Sequence, residues 1–446
     1  MNPRPPPDRI PASPMDQFNY ALQGLGESTM HFAIVFDGDL DTGRLERACA
    51  AARVLVPVVG SRFVEAAAPY WERIPGGNAH DRIRVHPSAD RDRDIQKVLT
   101  LPVDPATGPP VRLDILRSGS GDTLCITVHH AAMDAHGLLV YAQLLAGFYR
   151  NPGAGQGRFL SPSQDRSLTR LLSQFPKENP VPMITAPAPR RQGWTFPARP
   201  GDCKKRAFAI RTLPDERMSA IKSAARIRGA TVNDLLLAAF FSALCDYSRP
   251  EPATDLPISV SIDLRRYLAV KKSAPAETDP DTNVAMALLP LDTIANLSVA
   301  FDVLLPTGSR SFDERIMQVS TAMQVHKAHN PGIDAALEIE SYGYTNFAGF
   351  TERVRLMRDE AAGTGATTPL LGNIGILPEA ATAFSPDLPV TNAFIAGIVI
   401  NPPGIALGVS TFRNRMTLSI GYGSADIQHD RMERFMDTLT GYLPEG

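Results

Sequence analysis

Cysteine is scarce in this chain: 446 residues hold only Cys49, Cys125, Cys203 and Cys245. Their wide scatter, without a CxxC pair, argues against a disulfide framework or a structural zinc site and fits a reducing compartment. Excess charge of one sign is also missing. The 45 Lys and Arg residues nearly balance 47 Asp and Glu, for a formal net charge of −2, so there is no electrostatic footprint of a nucleic-acid or anionic-membrane partner. The longest apolar run, Leu235 to Cys245, is broken by Ser242 and too short to span a bilayer, and the opening Met-Asn-Pro-Arg-Pro-Pro-Pro lacks a signal-peptide core. A soluble, cytoplasmic protein with no membrane span is expected. HExxH and phosphate-cradling glycine motifs are absent too.

What the chain does have is one stretch where titratable side chains gather at a change of backbone pattern: Thr123-Leu-Cys-Ile-Thr-Val-His-His-Ala-Ala-Met-Asp-Ala-His-Gly137. Leu124, Ile126 and Val128 alternate with Cys125 and Thr127, the period of a buried strand ending near His129. After Gly137, Tyr141, Leu144, Leu145 and Phe148 recur at helical spacing and predict a helix packed back over the sheet. The corner between them carries His129, His130, Asp134 and His136. Rigid flanking elements aim such groups while the corner leaves their tips accessible, and imidazole titrates near neutrality, so this corner is the candidate site.

A chain this long exceeds what one core usually organises, and two units are expected. Order is expected from Ser13-Pro-Met-Asp-Gln-Phe onward, after a proline-rich start. His31 to Phe36 reads as a strand, followed by a helix with Leu45, Ala48, Cys49, Ala52 and Leu55 on one face. Arg82 to Asp94, too charged for a core, reads as a surface strand with its loop, and Val111 to Leu116 as a neighbour of the motif strand. Seven prolines between Pro176 and Pro200 exclude a helix there and place a linker at 176–204, between an N-terminal unit (1–175) and a C-terminal unit (205–446).

In the second unit, Lys205 to Arg211 predicts a strand. Pro214, Asp215 and Glu216 start a helix that Gly229 ends. Thr231-Val-Asn-Asp234 resembles a capping box, with Asp for the usual Glu or Gln, opening a helix with a wide buried face. Ile258, Val260 and Ile262 alternate into Asp263-Leu-Arg265, and a polar loop reaches Asp281. Strands are expected at Asn283 to Leu291 and Pro369 to Leu377, and a flexible lid or a solvated connection at Glu360 to Thr368. Ala393 to Ile400, Ile405 to Thr411 and Met416 to Tyr422 read as a meander, closed by a helix from about Asp430 to Tyr442. The class is mixed α/β.

His129-His-Ala-Ala-Met-Asp134 resembles the HHxxxD signature of acyltransferases with a chloramphenicol-acetyltransferase-like fold. These include peptide-synthetase condensation domains, polyketide-associated and wax-ester or diacylglycerol acyltransferases, and the BAHD enzymes, which keep only HxxxD. Ser13-Pro-Met-Asp-Gln resembles the family's start, Thr231-Val-Asn-Asp-Leu-Leu its second-half helix, Asp263-Leu-Arg265 the strand end that follows, and Gly372-Asn-Ile-Gly375 its late asparagine-glycine segment. Five landmarks in family order span most of the chain. The resemblance implies two such subdomains with the active-site channel between them. It also implies acyl transfer from a thioester, either acyl-CoA or an acyl carrier protein, to an acceptor hydroxyl or amine in lipid or secondary-metabolite biosynthesis. Coenzyme A or phosphopantetheine would enter as a substrate arm; no tightly bound cofactor and no metal is implied.

On that resemblance His130 is the general base for direct attack by the acceptor, with no acyl-enzyme. Asp134 braces the corner, and Arg265 is its expected partner in a bidentate pair; the plainer roles are helix capping for Asp134 and solvation for Arg265. His129 is expected to fix the loop through backbone hydrogen bonds. His136, Gly137, Asn373 and Thr411 are expected around the substrate pocket, His136 alternatively facing solvent. The family places glycine directly after the aspartate, whereas Ala135 and His136 intervene here, which alters the loop's backbone freedom. A backbone N–H or a hydroxyl of Ser410 or Thr411 would stabilise the oxyanion. Three alternatives stand beside this reading: a free-standing condensation-type enzyme joining carrier-bound groups, a silent module that binds a thioester or carrier, and metal-assisted hydrolysis through His129, His130, Asp134 and His136. No adjoining carrier or adenylation region is recognisable, so a free-standing transferase with a small-molecule acceptor is expected.

Overall fold

The computed structural model describes residues 8–75, 83–152, 166–175, 193–195, 205–251, 254–268, 294–308, 311–342 and 347–445. Two large sheets flanked by helices organise them. The motif strand, Gly121–His129, is the middle one of five in the first sheet, antiparallel to Thr29–Phe36 on one side and Val111–Ser118 on the other, with every residue buried. Its alternation has a two-sided explanation. Leu124, Ile126 and Val128 face the main core of the first half, while Cys125 faces a thinner apolar layer with Leu116, Phe394 and Val98. A strand buried on both faces needs apolar or small residues at every position.

The helix that follows is Ala135–Arg150, beginning two residues before Gly137 because Asp134 is its N-cap. It is buried almost all round rather than along one stripe, packing against Thr42–Leu55 as well as the sheet. The charged stretch before the motif departs from expectation. Ile83–Pro87 is a strand, but Arg91–Leu99 is a helix, capped by Asp90, that buries Ile95, Val98 and Leu99. Three apolar residues at helical spacing suffice to anchor a nine-residue helix whose other positions are charged or, at Gln96, polar.

The second sheet runs in the order Ser298–Pro306, Asp255–Asp263, Leu370–Ile376, Ala406–Phe412, Arg415–Gly423, Val399–Ile400 and Gly26–Glu27, with Arg206–Leu213 also paired to Arg415–Gly423. The expected late meander is therefore corrected. Its last two strands form a hairpin, but the first, Val390–Ala396, lies in the other sheet, antiparallel to Thr29–Phe36. Short-range alternation identifies a strand without saying which sheet receives it. The sheets exchange strands in both directions, since Gly26–Glu27 from the early chain pairs with Val399–Ile400.

Glu360 to Thr368 is not a loop. Glu360 to Thr364 complete the helix Phe347–Thr364, and Ala366–Thr367 pairs with Trp194–Thr195. Trp194 is buried and its indole N–H donates to the Pro257 carbonyl at 2.7 Å. Apart from 193–195, the expected linker lies outside the described residues, as do the polar loop at 269–281, the strand expected at Asn283 to Leu291, and Cys203. Thr231 and Asp234 form the full reciprocal capping box, and Ser13 with Asp16 forms another. Among the described residues no single helix is long and apolar enough to cross a membrane.

Candidate active site

Backbone bonds first set the path of the motif loop. The His130 N–H donates to the Ser28 carbonyl at 2.7 Å, Ala132 N–H to the His129 carbonyl at 2.9 Å, and Asp134 N–H to the Ala295 carbonyl at 3.3 Å. The loop is thus held by Ser28, just ahead of the strand Thr29–Phe36, and by residue 295 of the second half. His129 turns inward. Its Nδ1 accepts the Ala131 N–H at 3.2 Å, and burial pushes its pKa down to about 3, so the ring is a neutral structural acceptor. His130 is only partly buried, with Nδ1 3.2 Å from Asn296 Oδ1. Desolvation holds its pKa below the ordinary imidazole value although Asp134 pulls the other way.

Asp134 is 1% exposed and fully engaged. Oδ1 accepts the Gly137 N–H at 2.8 Å, while Oδ2 accepts from Arg265 Nη1 at 2.9 Å, Leu297 N–H at 2.7 Å and the Ser298 hydroxyl at 2.9 Å. Burial disfavours its charge, but Arg265 and the backbone donors outweigh this and hold the carboxyl below the usual carboxylate range. The geometry with Arg265 differs from the bidentate pair expected. One guanidinium nitrogen, Nη1, serves both Asp134 and Asp263, the latter at 2.8 Å, and Nη2 turns to the Ala295 carbonyl at 3.0 Å. Asp263 in turn lies 3.3 Å from His136 Nδ1, so the half-exposed His136 ends a chain running Asp134, Arg265, Asp263, His136.

Gly137 is buried against residue 295. A Cβ there would come within 3.0 Å of both the Ala295 carbonyl oxygen and the Met133 Cβ. The glycine sits at a close crossing of two backbones. Asn373 lies farther along the second sheet, at an irregularity in its pairing with Ala406–Phe412. Its amide nitrogen donates to Asn233 Oδ1 at 3.1 Å and its oxygen accepts the Gly375 N–H at 3.0 Å. Thr411 is buried in the strand Ala406–Phe412, and the Ser410 hydroxyl accepts the Ile395 N–H at 3.0 Å, tying the two sheets together. Neither hydroxyl is hydrogen-bonded to the His130 loop.

Three residues at the site carried no sequence signal of their role. Asn296 is fully buried between His130, the Ala131 carbonyl and Asp16. Asp16 and Arg166 form a buried bidentate pair, at 2.7 and 3.0 Å. Asp16 was visible only as part of the Ser13-Pro-Met-Asp landmark; nothing local marks Asn296 or Arg166, because their contacts join residues far apart in sequence. The metal alternative does not fit this arrangement. His129 Nδ1, Asp134 and His136 are each committed to other partners, and no group of three or more His, Cys, Asp or Glu able to hold a metal occurs among the described residues.

Comparison with known proteins places the architecture. No family model matches the chain. Tyrocidine synthase 1 of Brevibacillus parabrevis is 26% identical over 153 residues, which is 32% of this chain and only 14% of that much longer protein. The solved structure of the trichothecene 15-O-acetyltransferase of Fusarium sporotrichioides superposes with a TM-score of 0.68 at 13% identity, covering 98% of this chain and 95% of that one. The first condensation domain of the calcium-dependent antibiotic synthetase gives 0.65 at 16% identity, covering 98% and 95%. Polyketide synthase associated protein 5 of Mycobacterium tuberculosis gives 0.62 at 15% identity, covering 97% of each. Across nearly its whole length, then, the chain has the chloramphenicol-acetyltransferase-like fold that these acyltransferase and condensation-domain structures share.

Proposed function

We propose that the chain is an acyltransferase that moves an acyl group from a thioester to an acceptor hydroxyl or amine, with His130 as general base. The observation that carries this reading is a partly exposed imidazole at the end of a rigid, buried strand, on a loop fastened to both halves of an acyltransferase-type fold. A proton acceptor held this way can act on a substrate without moving.

The chemistry follows from those groups. His130 takes the proton from the acceptor oxygen or nitrogen as that atom bonds to the thioester carbonyl carbon, giving a tetrahedral oxyanion and an imidazolium. Collapse breaks the carbon–sulfur bond, and the departing thiolate recovers the proton, leaving ester or amide, free thiol and neutral histidine. Asp134 acts by holding the loop. Coenzyme A or a carrier-bound phosphopantetheine would present the sulfur, neither being tightly bound.

The local similarity to a peptide synthetase supports a second reading, a condensation-type reaction between carrier-bound groups. Free-thiol release from acyl-CoAs and from acyl carrier proteins, with and without mixed alcohols and amines, tests both. Acceptor-dependent release is expected, reduced at least ~10²-fold in His130→Ala with the fold retained, the usual scale for loss of a general base. Release from carrier substrates alone selects the condensation-type reading. Binding of either thioester without turnover identifies a silent module and rejects both.

A further inference from the structure

We infer that Asn296 is a positioning residue that holds His130 in the Nδ1–H tautomer and so leaves Nε2 as the proton-accepting nitrogen. The inference rests on the reading of His130 as the base and adds what selects its reactive nitrogen.

An asparagine amide accepts at one end and donates at the other, so its neighbours decide which way it faces. The nitrogen of Asn296 lies 2.9 Å from the Ala131 carbonyl oxygen and 3.4 Å from Asp16 Oδ1. Both of these groups accept. A turned amide would set its oxygen against two oxygens, so the amino end belongs there and Oδ1 faces His130. That oxygen is 3.2 Å from His130 Nδ1 and can only accept, which requires the proton on Nδ1. Neutral imidazole carries one N–H, and Nε2 is then the lone pair available to a substrate.

The neighbours of Asn296 are themselves pinned. Asp16 is bound through both oxygens by Arg166 and also accepts the Trp71 indole N–H at 3.0 Å. Arg166 donates onward to the Ile294 carbonyl at 3.0 Å, two residues before Asn296, and to the Ala132 carbonyl, two residues after His130. One buried ion pair therefore holds the backbone on both sides of the contact between Asn296 and His130. Directional networks of this kind fix geometry even where their net contribution to stability is small. Loss of the amide removes the acceptor that faces Nδ1 and should therefore mix the tautomers.

The test is ¹⁵N-histidine labelling of the full chain, with long-range proton–nitrogen correlation spectra recorded on the neutral ring and His130 assigned by the signals lost in His130→Ala. Wild type is expected to show a pyrrole-type Nδ1 and a pyridine-type Nε2. Asn296→Ala should average the two nitrogens and lower kcat about five- to tenfold, with little change in KM for the acceptor; Asn296→Ser, which retains a hydroxyl acceptor, should recover part of both. A proton on Nε2 in the wild-type protein overturns the inference whether or not the variants fold, and so does an unchanged nitrogen pattern in folded Asn296→Ala. If the tautomers behave as expected but His130→Ala retains transfer, the assignment of Asn296 stands and the reading of His130 as base falls.

Discussion

Replacing Asp134 with asparagine removes one charge and one acceptor from a site almost closed to solvent. Four donors converge on its carboxylate, one on Oδ1 and three on Oδ2. An amide offers a single oxygen, so its NH₂ must face at least one of them. The less disruptive orientation turns the NH₂ to Gly137 and sacrifices the helix cap, which costs about 1 kcal/mol. The lost charge is the larger effect. Removing one partner of a buried ion pair typically costs about 3–5 kcal/mol, but Arg265 keeps Asp263 and the Ala295 carbonyl. A total near the lower end, about 3 kcal/mol, is therefore expected. Urea unfolding read by the fluorescence of Trp71 and Trp194, the chain's two tryptophans, would measure it from both halves, and transfer activity should fall together with the unfolding midpoint.

The pH dependence gives this prediction a sign. Burial opposes ionisation of Asp134, but its partners hold the folded carboxyl below its unfolded value of about 3.9. The stabilisation is then present above that value and is lost as pH falls through the lower, folded one. The gap between wild type and Asp134→Asn should be full at pH 7 and shrink below about pH 4. An unchanged midpoint at pH 7 with activity intact, or a gap that widens on acidification, would refute the bracing argument.

Two further expectations concern the same corner. Because desolvation keeps His130 below the ordinary imidazole pKa, the acid limb of kcat/KM should lie below about pH 6.5; a half-maximal point above pH 7 would contradict the buried setting of the base. Gly137→Ala should destabilise the protein by about 1–2 kcal/mol despite alanine's better helix propensity, because its methyl meets the Ala295 carbonyl. A raised unfolding midpoint for this variant would mean that the two backbones do not cross as closely as described.

Much of this site was legible because its signals are local. Alternation located the motif strand, and Thr231 announced its helix through the side chain three residues on, which closes the capping box seen in the structure. Arg265 was reachable only through a family landmark, since 131 residues separate it from Asp134. Asn296 lies 166 residues from its histidine in a stretch of ordinary composition, and no spacing rule connects them. The helix Phe347–Thr364 was misread at its end for another reason. It buries only Phe347, Phe350 and Val354, and Arg355 with Glu352 and Asp359 forms ion pairs along its exposed part, so Ala, Gly and Thr beyond them looked like loop.

The strand Val390–Ala396 completes a sheet whose other members all lie before residue 130. During synthesis, the outer edge of Thr29–Phe36 must wait for more than three hundred further residues before its partner exists. Until then a nascent chain carries an apolar strand with one row of unpaired amides and carbonyls, the kind of edge on which aggregation begins. Pairing across so long an intervening chain is also slow to nucleate. Fragments ending before residue 390 should therefore be poorly soluble however well their local elements form, and maturation of the protein should be limited by how long that edge stays open.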